Sequence, residues 1–161
     1  MLRTHGAGEL RASNVGQTVV LSGWVARRRD HGGVAFIDLR DGSGWCQVVI
    51  NDETTAGSLR AEWCLKIVGE VIARPTGSEN IKTPTGAIEV VAKEVVVLSE
   101  AAPLPFPVDS GDDVDVSEEV RLRYRYLDLR REVPATNLRL RSKVTSVIRR
   151  TMEQENFYEI E

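Results

Sequence analysis

Apolar and polar residues alternate along five stretches within the first hundred residues, and Gly, Pro and Asp cluster between them. Successive side chains of a strand face opposite sides, so a period of two predicts β-strands. We predict a short helix in the non-alternating stretch 51–62, and strands at residues 19–29, 34–40, 45–50, 64–74 and 88–98. Five strands with a helix between the third and the fourth is the element order of an OB-fold barrel, so the fold class is mainly β.

The pattern changes after residue 102. Three prolines and four aspartates occur within residues 103–115, which is typical of a hinge or linker. After Pro134, apolar residues repeat at helical spacing and predict an amphipathic helix of about six turns, with its stripe at Leu140, Val144, Val147, Ile148 and Met152. Residues 157–161 read as the start of a strand.

These segments predict three parts: a barrel domain at residues 1–102, a linker at 103–120, and the start of an α+β domain at 121–161. The long helix needs a partner to cover its apolar stripe, and the remaining sequence offers none. We therefore expect the second domain to be incomplete in this chain.

Composition narrows the class of function. The net charge of −3 argues against a protein whose whole surface binds duplex DNA nonspecifically. The basic residues nevertheless cluster at Arg27–Arg29 and between residues 121 and 150. The sequence has no apolar run long enough to span a membrane and no apolar leader, so we expect a cytoplasmic protein. Cys46 and Cys64 are isolated, and we expect no metal site.

Alternation also places candidate binding residues. Ala35, Ile37 and Leu39 form the inward set of the second strand, so Phe36 faces outward. The first strand ends in Arg27, Arg28 and Arg29, and the third carries Gln47. An aromatic ring for stacking, arginines for phosphates and an amide for base edges are the components of a single-stranded RNA site.

Glu89, in the fifth strand, is the one acidic candidate. A carboxylate beside a basic groove would repel phosphate, so we interpret it as an acceptor for a base amine. A catalytic constellation is not apparent: the sequence has no Ser/His/Asp set, no paired carboxylates in an apolar context and no Gly-rich phosphate loop before a helix.

Three segments resemble one family. Residues 23–41 (GWVARRRDHGGVAFIDLRD) are similar to the anticodon-binding barrel of bacterial-type aspartyl-tRNA synthetases, which are class II enzymes. Residues 121–131 (RLRYRYLDLRR) resemble the segment that enters their catalytic domain, and residues 157–161 (FYEIE) resemble the beginning of class II motif 1. The resemblance covers essentially the whole chain.

The resemblance implies a role for each candidate. Phe36 would stack on an anticodon base, Gln47 and Glu89 would read base edges, and Arg27, Arg28 and Arg29 would hold the tRNA backbone. The whole enzyme would activate aspartate with ATP and Mg²⁺ and transfer it to tRNA. The groups for that chemistry are absent from this chain, so we expect it to be inactive alone. The long helix would belong to the homodimer interface.

Residues 30–33 and 74–77 further resemble family members that charge both tRNA-Asp and tRNA-Asn. The resemblance places His31 and Gly77 in the two loops that flank the anticodon groove, where a small residue at 77 leaves room for a different third anticodon base. His31 can equally be only a turn residue. Two other functions stay open: a free-standing OB-fold module that binds single-stranded nucleic acid, and a related class II synthetase for asparagine or lysine.

Overall fold

A computed structural model describes residues 2–31, 33–108 and 115–160. It divides the chain into two compact units, residues 1–103 and 104–161. The first unit contains the five strands and the first α-helix, and the second contains the remaining helices.

The first unit is a closed five-stranded barrel. Its strands are β1 (Thr18–His31), β2 (Val34–Asp41), β3 (Gly44–Ile50), β4 (Cys64–Ala73) and β5 (Ile88–Ser99), hydrogen-bonded in the order β1-β2-β3-β5-β4. The β3–β5 pair is parallel and all other pairs are antiparallel. Helix α1 (Glu53–Ser58) lies between β3 and β4 in sequence. The OB-fold prediction is confirmed.

Alternate side chains of the strands fill the barrel interior. Ala35, Ile37 and Leu39 are each 1% exposed or less, as their alternation predicts. Residues of α1 and the following loop, Ala56 and Leu59, join the same core. The polar alternate positions therefore lie on the outside of the barrel, where a ligand can reach them.

Two boundaries differ from the sequence prediction. We expected β1 to end at Arg29 and a turn to begin at Asp30, but Asp30 and His31 pair with Ala35 and Val34, so the strand is longer. The predicted helix within residues 51–62 is shorter, because the Asp52 side chain accepts hydrogen bonds from the Thr54 and Thr55 amides and starts it there, and it ends at Ser58.

The second unit contains α2 (Glu118–Arg123), α3 (Arg125–Asp128) and α4 (Glu132–Gln154). Its small apolar core holds Phe106, Val108 and Leu127. Part of the stretch that we expected to be a solvated linker is thus packed, because apolar side chains alternate with its prolines. The Asp109–Asp112–Asp113 portion of that prediction falls outside the described residues.

Asp128 is completely buried in this unit and is surrounded by arginines. Its oxygens accept from Arg121 Nε (2.9 Å) and Arg125 Nη1 (2.6 Å), and Arg131 Nη1 lies 3.6 Å away. Burial alone would raise the pKa of Asp128, but the bonds and charges of these arginines together outweigh it and hold the pKa below 3.8.

Helix α4 confirms the predicted long helix over 23 residues. Its apolar stripe is exposed: Leu140, Val144, Val147, Ile148 and Met152 are 41–59% accessible. The predicted strand at residues 157–161 is not formed in its described part, residues 157–160, because a strand needs a neighbouring strand for its backbone hydrogen bonds. The described helices include none long and apolar enough to cross a membrane.

Candidate RNA-binding face

Strand register brings most of the predicted site residues onto one outer surface of the barrel. Arg27 pairs with Asp38, and Asp38 pairs with Gln47. Glu89 stands beside Gln47, one residue before the parallel Val48–Val90 pair. Directly paired residues of neighbouring strands project to the same side. These four side chains therefore form one row across β1, β2, β3 and β5.

A second row runs beside the first. Arg29 pairs with Phe36, and Phe36 pairs with Val49. Phe36 lies outside the core, as predicted, but its ring is half-buried rather than fully exposed. A half-buried ring still presents one side on which a base can stack. We call these two rows, from Arg27 and Arg29 to Glu89, the outer face.

The polar groups of the outer face form one hydrogen-bonded chain. Arg29 Nη2 donates to Asp38 Oδ1 over 2.6 Å and to Gln47 Oε1 over 3.3 Å. Gln47 Nε2 donates to Glu89 Oε2 over 2.7 Å. Gln47 and Glu89 are each only 8% exposed, whereas the side chain of Arg29 is 51% exposed. A ligand therefore meets the guanidinium first and the amide–carboxylate pair beneath it.

Charge on the outer face is nearly balanced. Burial raises the pKa of Asp38 above 3.8, while Arg29, Arg27 and Arg74 act in the opposite direction. Three guanidinium groups thus surround two carboxylates, those of Asp38 and Glu89. The small excess of positive charge favours an anionic ligand, but it is too small for strong nonspecific binding of phosphate groups.

Arg74 is a candidate that the sequence reasoning missed. It follows β4 directly, and its Nε donates to the Ile88 carbonyl oxygen over 3.0 Å. Its Nη2 is buried and has no hydrogen-bond acceptor among the described residues. The sequence shows only an arginine just before Pro75. The local pattern does not predict that Arg74 lies near Asp38, which is 36 positions earlier.

Arg28 does not join the outer face. It pairs with Ile37, whose side chain is buried, so it projects to the other side of β1. There its guanidinium bonds Asp30 and the carbonyl oxygens of Gly57 and Leu59 at the end of α1. The three consecutive arginines that we grouped as backbone contacts are therefore split by the strand.

His31 and the loop that contains Gly77 lie toward opposite ends of β3. His31 is exposed at the β1–β2 hairpin, beside Val34. Gly77 is exposed in the β4–β5 loop, which reaches the other end of β3 because Thr85 Oγ1 donates to the Trp45 carbonyl oxygen. The φ of Gly77 is +91°, in the left-handed region that favours glycine, so its small size also has a backbone reason.

The described residues contain no group of three or more His, Cys, Asp or Glu side chains that could hold a metal ion. Both cysteines are free thiols. Cys46 is buried in the barrel core, and burial raises the pKa of its thiol to about 12. The aromatic and polar groups of this face can stack, hydrogen-bond and form ion pairs.

Two family profiles match the chain. Residues 19–98 match the tRNA anticodon profile described as an OB-fold nucleic acid binding domain, and residues 117–161 match the profile of class II tRNA synthetases for D, K and N. The first match covers the barrel strands that carry the outer face, and the second covers helices α2 to α4.

Curated relatives match over the whole chain. The chain is 62% identical to the aspartate–tRNA(Asp/Asn) ligase of Nocardioides sp. and 55% identical to that of Thermobifida fusca. Each alignment covers 100% of this chain, but only 27% and 28% of the respective ligases. The chain spans about a quarter of the length of these relatives.

Solved structures give the same architecture. The aspartyl-tRNA synthetase of Entamoeba histolytica superposes with a TM-score of 0.87 at 24% identity, covering 99% of this chain and 39% of that one. The asparaginyl-tRNA synthetase of Pyrococcus horikoshii superposes with a TM-score of 0.81 at 23% identity, covering 100% and 36%. These likenesses establish the fold alone. The sequence matches identify the chain as a member of the aspartyl-tRNA synthetase family.

Proposed function

We propose that the barrel binds the anticodon loop of tRNA-Asp, and also of tRNA-Asn, as part of an aspartate–tRNA ligase. The observation that carries this proposal is the outer face itself: the Phe36 ring, the exposed Arg29 guanidinium and the Gln47–Glu89 pair lie in two adjacent rows. Sequence-specific RNA recognition uses unstacked bases, which need an aromatic platform and hydrogen-bonding groups side by side.

Each side chain has a separate role in this proposal. Phe36 stacks on an anticodon base, and Arg27 and Arg29, both exposed, contact phosphates. Gln47 and Glu89 read base edges: the carboxylate accepts from a base amine and the amide both donates and accepts. The free protein holds these two groups against each other over 2.7 Å, so a base edge has to replace that bond.

His31 and Gly77 account for the acceptance of both tRNAs. His31 lies at the β1–β2 hairpin, Gly77 lies in the loop toward the other end of β3, and Gly77 carries no side chain that would exclude a base. The curated relatives named Asp/Asn ligases, at 55–62% identity, support this part of the proposal. Discrimination of the third anticodon base requires a side chain that rejects one of the two bases, and Gly77 has none.

The aminoacylation chemistry is assigned to the whole ligase in the cytoplasm. We propose that it activates aspartate with ATP and Mg²⁺ and charges the tRNA, with these ligands bound outside this chain. The described residues do not fit such a site, since they offer no carboxylate cluster for a metal ion. We assign residues 1–102 to anticodon binding, 103–120 to the hinge and 121–161 to the start of the catalytic domain, whose exposed α4 stripe joins a homodimer interface.

Titration of the chain with labelled stem-loops tests the proposal. Stem-loops that carry the Asp, Asn or Lys anticodon are compared by fluorescence anisotropy at several salt concentrations. We expect the Asp and Asn stem-loops to bind within a few-fold of each other and the Lys stem-loop to bind more weakly. Equal binding of all three stem-loops would contradict anticodon reading, and a strong preference for Asp over Asn would contradict the roles of His31 and Gly77.

A further inference from the structure

The Arg28 side chain ties the β1–β2 hairpin to helix α1. Its Nε and Nη2 donate to Asp30 Oδ1 and Oδ2 over 3.0 and 2.8 Å. Its Nη1 donates to the carbonyl oxygens of Gly57 and Leu59 over 3.2 and 3.1 Å. One guanidinium therefore joins two parts of the barrel that are almost thirty residues apart in sequence.

This arrangement uses the guanidinium almost completely. The last carbonyl groups of a helix have no partner within the helix and carry partial negative charge, which a cation satisfies. The planar fork of arginine fits a carboxylate in two-point contact at the same time. Four of the five N–H donors are thus used, and the side chain is only 24% exposed. Arg28 is poorly placed to contact a phosphate.

Packing between the hairpin tip and α1 is incomplete: Ala35 and Ala56 belong to the barrel core, but a cavity lies beside them. This cavity, of about 330 Å³, is lined by Asp30, His31 and Val34 on the hairpin and by Glu53 and Ala56 on the helix. Across such a gap the van der Waals contacts of a packed interface are missing. The hydrogen bonds of Arg28 cross this gap and join Asp30 to the end of α1.

Alternation links this connection to the outer face. Arg28 and Asp30 project to the α1 side of β1, so Arg29, which lies between them, projects to the opposite side. Fixing Asp30 in place fixes the backbone on either side of it. We propose that Arg28 is a positioning residue: it holds the β1–β2 hairpin so that Arg29 and His31 meet the RNA, and it does not contact RNA itself. This inference rests on the proposed function for its RNA readout.

The first test needs no RNA. Arg28→Met removes the guanidinium but keeps the length of the side chain, and Arg27→Met is the matched control on the neighbouring outward position. Amide hydrogen exchange is measured in the 161-residue chain after circular dichroism confirms folding. We expect the amides that are hydrogen-bonded between β1 and β2 within residues 30–35 to exchange about tenfold faster in Arg28→Met only, since local opening controls their exchange. Equal rates in the two variants would overturn the inference.

The second test separates positioning from phosphate contact by salt dependence. Each phosphate contact to a single strand adds about 0.7 to the slope of log affinity against log salt concentration. We expect Arg27→Met to lower the slope by about 0.7. Arg28→Met should leave the slope unchanged while affinity falls about threefold to tenfold, the range expected for one lost hydrogen-bonded constraint. A slope loss of about 0.7 in Arg28→Met would make it a phosphate contact and overturn the inference.

Asp30→Ala provides a third test, in which the two explanations predict opposite changes in RNA affinity. This variant can also be used if Arg28→Met does not fold. Removing a carboxylate next to an RNA site strengthens binding on electrostatic grounds alone. Loss of the hairpin connection instead predicts weaker binding, about threefold to tenfold, with the same fast-exchanging amides. Tighter binding would overturn positioning. If the wild-type protein binds no stem-loop but the variants still show fast amide exchange, the positioning role of Arg28 is supported and the proposed RNA-binding function is refuted. Failure of one proposal can therefore be told apart from failure of the other.

Discussion

Replacement of Phe36 is the sharpest test of the RNA-binding face. The ring is half-buried, with Arg29 and Val49 as its paired neighbours, so only its outer side is free for a base. Stacking of one base on an aromatic side chain contributes about 1–3 kcal/mol. With one side available we expect the lower half of that range, about 1–2 kcal/mol, which corresponds to roughly a 5- to 30-fold loss of affinity.

The choice of substitution decides what the measurement means. Phe36→Ala also removes partly buried apolar surface and should lower the free energy of unfolding by about 1–2 kcal/mol, less than in a full core position. Phe36→Leu keeps apolar bulk without the π-face, so it separates stability from stacking. Phe36→Trp keeps a platform and should bind RNA as well as the wild type does.

The assay is anisotropy titration of the Asp stem-loop at fixed salt, with unfolding in urea measured on the same samples. Phe36 carries no charge, so the salt slope should be the same in all three variants. The reasoning is refuted if Phe36→Leu binds the stem-loop with wild-type affinity, because the ring would then serve only to cover the barrel.

Three further predictions concern buried polar groups. Glu89→Gln should keep its bond to Gln47 but reduce the preference for the Asp stem-loop over one with a scrambled loop about tenfold, measured by competition titration; an unchanged preference would contradict base reading. Asp128→Asn should lower the free energy of unfolding at pH 7 by about 1–3 kcal/mol, since it removes the buried carboxylate that three arginines share, two of which are partly exposed. Because the folded state holds the Asp128 pKa below its ordinary value of 3.8, this stabilisation is present above about pH 4 and is lost as the pH falls. A difference in the free energy of unfolding between wild type and variant that stays constant down to pH 2 in urea titrations would contradict this. The Cys46 thiol, with a pKa near 12, should resist thiol reagents at pH 8 in the native protein while the half-buried Cys64 reacts, and equal labelling of both by mass spectrometry would contradict this.

The sequence specified the barrel well because a period of two is a local signal. Inward positions such as Ile37 and Leu39 could be assigned from their neighbours alone, and this also placed Phe36 outside. Alternation also divides three consecutive arginines between the two sides of a strand, but the register decides which side holds Arg28. The register of β1 shifts between Val25 and Arg27, and this bulge reverses which side each later residue faces. A bulge leaves no clear mark in a run of three arginines.

Contacts between distant residues were also beyond the sequence. Gln47 and Glu89 are 42 positions apart, and only the parallel β3–β5 pairing brings them into hydrogen-bonding distance. Neither their mutual bond nor their burial follows from either strand alone. By contrast, the packing of Phe106 and Val108 was readable in principle, because apolar residues that alternate with prolines are unusual for a fully solvated linker.

The bonding within the outer face bears on how the barrel would distinguish RNA sequences. In the free protein Gln47 donates to Glu89, and Arg29 bonds both Asp38 and Gln47. A base can bond these groups only by replacing hydrogen bonds that already exist within the protein. For a matching base the new bonds roughly equal the lost ones, so the net contribution to the binding free energy is small. A base that cannot supply the replacement leaves a buried carboxylate or amide unpaired, which costs about 1–3 kcal/mol for each group. Such a surface rejects wrong bases more strongly than it attracts the right one. The affinity must then come from the groups that remain free to bind, the outer side of the Phe36 ring and the exposed guanidiniums.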